Sequence, residues 1–135
     1  MNRSDFQRLA RVRLREARVL LGEGCYEGAY YLGGYAVECA LKACIAKKTR
    51  RHDFPDREAI NKYYVHNLEK LAAVVGPHLA AEFDSSRGVK AHWAIVAQWS
   101  HESRYTFSTR QEAENLIKAV SDRREGILRC IRKHW

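Results

Sequence analysis

Arg8, Arg11, Arg15 and Arg18 recur at a spacing that gathers four guanidiniums within about a quarter-turn of an ideal helix. A stripe of one sign can lie along a phosphate chain or an acidic partner, and Arg3 adds to it at the same end. The same pattern also describes a solvated helix face. Arg104 and Tyr105 set a cation beside a ring, which suits a phosphate and a base, or a contact that pins a linker to the bundle. His66 stands ahead of an apolar pattern, where an imidazole either lines a cleft or caps the helix that follows. Glu38 and Lys42 form an i,i+4 pair in the favourable order, worth a few tenths of a kcal/mol if exposed. Glu38 could belong to a polar site; the plainer reading is a structural ion pair with Arg13 or Arg124, both of which interrupt apolar faces. Arg87 with His92 and Arg129 with His134 each place a guanidinium shortly before an imidazole. Metal-independent RNA cleavage needs such a cation on the scissile phosphate and an acid or base near the 2′-hydroxyl. Sixteen arginines and six histidines yield about two such pairs by chance, so finding two carries no information.

These residues must be held by helices. Residues 26–48 are apolar over most of their circumference, with Tyr26, Tyr30, Gly33, Val37, Ala40, Leu41 and Cys44 on one broad face and Glu27, Tyr31, Tyr35, Glu38 and Lys42 opposite. Gly33 and Gly34 each cost about 1 kcal/mol against alanine in a helix interior, a cost that close approach of a neighbour would offset. This stretch reads as the central helix. Before it, residues 4–22 present Phe6, Leu9, Ala10, Leu14, Ala17, Leu20 and Leu21 on one side and the arginine stripe on the other, with Ser4 to Gln7 as a capping box. The brief Gly22-Glu23-Gly24 break predicts an antiparallel pair.

Residues 49–65 read as loop, with a turn at Asp53-Phe54-Pro55. Short helices follow over residues 66–75 and 79–83, then one over 89–99 carrying Trp93, Val96 and Ala97. Trp93 and Trp99 suit core and dimer surface better than base stacking. Residues 100–107 form a linker. A last helix, capped at Thr109, carries Ala113, Leu116, Ile117, Val120, Ile127, Leu128 and Ile131. No strand period is present, and the architecture is all-α.

With 135 residues the chain makes one domain with a real core, spanning residues 1–135. The formal net charge of +8 favours nucleic acid, an anionic ligand or an acidic partner. No apolar run reaches the roughly 18 residues of a membrane span, and no signal-peptide core is visible, so the expected location is cytoplasmic. Cys25, Cys39, Cys44 and Cys130 lack CxxC spacing and read as reduced, buried thiols; neither a metal site nor a cofactor is expected.

Together these pieces resemble the HEPN domain. Ala17, Leu20, Leu21, Gly24, Tyr26, Ala29, Tyr31, Leu32, Ala36, Val37, Glu38, Ala40, Leu41, Lys42 and Ala43 match its first block. His66, Leu68 and Leu71 match a later H-x-L-x-x-L, and Arg104-Tyr105 a pair after a tryptophan-bearing helix, with Thr106 where proline is expected. The resemblance implies an up-and-down bundle of about five helices, commonly a homodimer. It implies either of two functions. One is a nucleotide- or RNA-associated module of a prokaryotic toxin–antitoxin or defence system, partner of a minimal nucleotidyltransferase. The other is a metal-independent endoribonuclease toxin with an R-x4-6-H pair at a dimer cleft, for which the candidates are Arg87 with His92 and Arg129 with His134.

Overall fold

The computed structural model describes residues 1–48, 61 and 65–135. Among them the chain forms seven α-helices, a single 3-10 turn and no strand. They are α1 Arg3–Gly22, α2 Tyr26–Lys48, α3 Leu68–Val75, α4 Pro77–Phe83, α5 Arg87–Ala97, the 3-10 turn His101–Tyr105, α6 Arg110–Ser121 and α7 Ile127–Arg132. The architecture is all-α as expected, with seven helices rather than about five. The loop expected over residues 49–65 falls almost wholly outside the described residues.

α2 is the centre. α1, α3, α6, α7 and the 3-10 turn all pack on it, so its sides are covered in turn by different neighbours. Val37 and Leu41 are fully buried, with Leu68, Leu71, Leu79, Leu116, Val120, Ile127 and Ile131 closing around them. α1 lies against α2 through small residues: Ala10 and Ala17 face a helix carrying buried Ala29, Ala36, Ala40 and Ala43. Side chains this short let the two backbones approach closely. The turn between them depends on Gly24, whose φ of 77° lies in the left-handed region.

Local chemistry moved several boundaries. Asn2 caps α1, its side chain accepting from the Asp5 N–H while Asp5 accepts from the Asn2 N–H, so the capping box begins two residues before Ser4. Arg87 is the first residue of α5, capped by Ser86, so this helix begins two residues ahead of the expected start at 89. The linker after Trp99 winds into the 3-10 turn, started by Ser100 accepting from the Glu102 N–H.

The last helix is interrupted. Ser121 donates to the Ile117 carbonyl, and Asp122 Oδ1 accepts from the N–H groups of Arg124 and Glu125. Those bonds hold the Asp122 carboxyl below its usual range and offer the backbone an alternative to the helix. A Cβ at Gly126 would lie 2.4 Å from the Asp122 carbonyl oxygen, so the return into α7 needs glycine there. The apolar period runs on through the break because α6 and α7 both face α2.

Three cysteines, Cys39, Cys44 and Cys130, are buried thiols; Cys25 is exposed, at the mouth of the α1–α2 turn. Burial pushes the Cys39 thiol up to about 12, with Glu38 adding to the effect, and Cys44 to about 11. Neither is a nucleophile at neutral pH. No described helix is long and apolar enough to cross a membrane.

Candidate functional site

Along the outer line of α2, Tyr31, Tyr35, Glu38 and Lys42 follow one another at helical spacing. Glu38 is 1% exposed. Its Oε1 accepts from Lys42 Nζ at 2.8 Å and from His66 Nδ1 at 2.9 Å. Its Oε2 is buried without a partner among the described residues. A carboxylate so enclosed needs a cation, and Lys42 provides it. The expected partners, Arg13 and Arg124, are both elsewhere: Arg13 pairs with Glu16 at 2.7 Å, and Arg124 stands exposed in the turn after α6. Arg13 is engaged instead by Glu16, one turn along its own helix.

His66 does not cap α3, where Asn67 accepts from the Lys70 N–H; among the described residues its ring pairs with Glu38. Its Nδ1 is held by the buried carboxylate, which fixes the orientation of the ring. The His101 ring lies 4.8 Å from it, and His101 Nε2 faces Glu102 at 3.1 Å.

Further along the strip, Tyr31 neighbours Tyr35 at 5.9 Å and stacks on Trp99 at 6.0 Å. Trp99 is 2% exposed and lies flat on Gly34, where a Cβ would come within 2.2 Å of its ring. The close approach that Gly34 permits is therefore by a side chain from beyond α5 rather than by a neighbouring helix. The Arg104 guanidinium sits 4.9 Å over the Tyr105 ring, and its pKa is raised by Tyr105 first and Tyr31 second. The fold thus brings Glu38, His66, Arg104 and Tyr105 to one strip, and adds Tyr31, Tyr35 and His101, whose part the sequence reading missed. Their signal was the helical spacing of the two tyrosines with Glu38.

A second surface is purely cationic. Arg8, Arg11, Arg15 and Arg18 are all exposed, and none has a carboxylate within ion-pair distance among the described residues. Trp135 folds back against this face: Arg11 lies 5.1 Å and Arg132 5.7 Å from its ring, and Arg3 donates to its carbonyl oxygen. Burial first, and then the charges of Arg11 and Arg18, hold the Arg132 pKa below its ordinary value.

The two arginine–histidine pairs stand in different settings. Arg129 donates to the carbonyls of Arg123 and Arg124, closing the turn before α7. His134 lies past the end of α7 with a buried Nε2. Arg87 is exposed at the start of α5, while His92 Nδ1 donates to the Glu125 carbonyl at 2.8 Å. Trp93 stacks on Phe83 at 4.1 Å, as part of the core. A surface groove of about 430 Å³ beside Trp93, Ala94 and Ala97 includes none of these candidates.

The family model described as the HEPN domain matches residues 4–122. The match takes in α1 to α6 and stops short of Arg129, His134 and Trp135. No curated protein and no solved structure matches the chain.

Proposed function

The chain belongs to the HEPN family, a nucleotide- or RNA-associated helical module, and on that premise we propose that it binds RNA without cleaving it. In this reading it works as a homodimer, partnered by a minimal nucleotidyltransferase in a prokaryotic toxin–antitoxin or defence system. The observation that carries the reading is the contrast between its two kinds of arginine. The four on the stripe are exposed and free of carboxylates, whereas Arg129 is tied to two backbone carbonyls. A polyanion laid on the stripe would release counterions, which is the main source of affinity for a phosphate chain. A cleaving pair needs its cation free to meet the scissile phosphate; Arg129 is not, and for the exposed Arg87 the decision falls to His92→Ala.

Purified protein incubated with total RNA and no added metal tests this directly. The expected result is RNA retained by the protein and recovered at full length, with a nucleotidyltransferase encoded beside the gene co-purifying. Cleavage that His92→Ala or His134→Ala abolishes would instead establish the ribonuclease.

A further inference from the structure

Phe107 is 95% and Tyr105 74% exposed, while the other large apolar side chains among the described residues are mostly inside. Both rings belong to the segment Arg104-Tyr105-Thr106-Phe107, which leaves the 3-10 turn and runs to the Thr109 cap of α6. The segment is anchored at both ends. Thr106 donates through its hydroxyl to the Ser103 carbonyl, and Ser103 and Ser108 are buried. Beneath it, Arg104 lies over the Tyr105 ring, Tyr31 stacks on Trp99, and Trp99 is seated on Gly34. Tyr105 is thus backed by packed side chains, and Phe107 stands between the bonded Thr106 and the buried Ser108.

A positive charge stands beside Tyr105. Arg104 is exposed and has no carboxylate partner among the described residues. The nearest acid in sequence, Glu102, faces His101 at 3.1 Å. An aromatic face beside an unpaired guanidinium is the combination that holds a base and its phosphate. A second protein is a poorer fit. Two rings bury about 150–250 Å² each, well short of the roughly 800 Å² per partner of a stable interface, and Glu102, Thr106, Thr109 and Arg110 around them are exposed and polar.

We infer that residues 104–107 form a stacking platform for unpaired bases of RNA, with Tyr105 and Phe107 offering ring faces and Arg104 taking the adjoining phosphate. This deepens the RNA reading above and rests on it. It adds a preference that the arginine stripe lacks: stacking requires a base free of its partner strand, so a duplex gains nothing from these rings.

The test is binding of a labelled single-stranded RNA oligonucleotide, and of the blunt duplex made from it, by the full chain. Tyr105→Ala with Phe107→Ala is expected to weaken single-strand binding by about tenfold or more, leaving the duplex affinity and the salt dependence as they were. Phe107→Ala alone, at a site with almost no buried surface, is expected to melt like the wild type and lose part of that affinity. Unchanged single-strand affinity in the double variant overturns the platform. So does an equal loss for both RNAs, or a loss that follows weakened self-association in sedimentation. A wild type that binds neither RNA removes the RNA reading as well; one that binds while the double variant is unaffected removes only the platform.

Discussion

Leu41→Asp is expected to leave no folded protein: an insoluble or unfolded chain with no cooperative melting transition. Leu41 is fully buried on α2, among neighbours from several helices. Removing a buried leucine side chain alone costs about 2–5 kcal/mol. The new carboxylate would add the desolvation of a charge with no cation beside it, at least several kcal/mol more. Domains of this size are stable by only about 5–15 kcal/mol. The sum exceeds or exhausts that margin. A soluble Leu41→Asp protein with wild-type thermal stability would mean that α2 is turned differently from the helix described here.

Gly34→Ala is expected to destabilise, against its intrinsic preference. In a helix interior, alanine is favoured over glycine by about 1 kcal/mol. Here its Cβ would lie 2.2 Å from the Trp99 ring, which is 2% exposed and has nowhere to retreat. Forcing an extra methyl into a packed site costs typically 1–3 kcal/mol, so the clash outweighs the gain. The consequence reaches the polar strip of α2, because Trp99 also supports Tyr31. Thermal unfolding of Gly34→Ala should fall by several degrees, and Trp99→Leu in the same chain should recover part of the loss. A melting temperature above wild type would show that Trp99 does not rest on Gly34.

Much of the fold was legible because the helical period survives in the sequence. α1 and α2 were readable from apolar spacing and from glycines at their junction, and the two long helices could only fold back on one another. The break after Ser121 was not, since Ile127, Leu128 and Ile131 keep facing the same core on either side of it. Its signal was the polar Ser121-Asp122 pair and Gly126, whose local bonds compete with the helix. At the site, periodicity placed Tyr31, Tyr35, Glu38 and Lys42 on one line. It could not show that His66, 28 residues further on, would turn back onto Glu38. Long-range polar pairing of this kind leaves no spacing to read. Trp135 folding onto the arginine stripe is another such contact, and so is Trp99 on Gly34.

The central claim, that the exposed arginine face binds RNA, is tested most directly by the salt dependence of affinity for a single-stranded RNA. Arg11→Gln with Arg15→Gln leaves the core untouched, since both side chains point to solvent. It gives up only the Arg11 contact with Trp135, which Arg132 still makes. Each arginine that neutralises a phosphate contributes about 0.7 to the slope of log affinity against log salt on a single strand. The double variant is therefore expected to bind more weakly and to have a slope shallower by about 1.4. Wild-type affinity with an unchanged slope would contradict the account and leave the stripe as a solvated helix face.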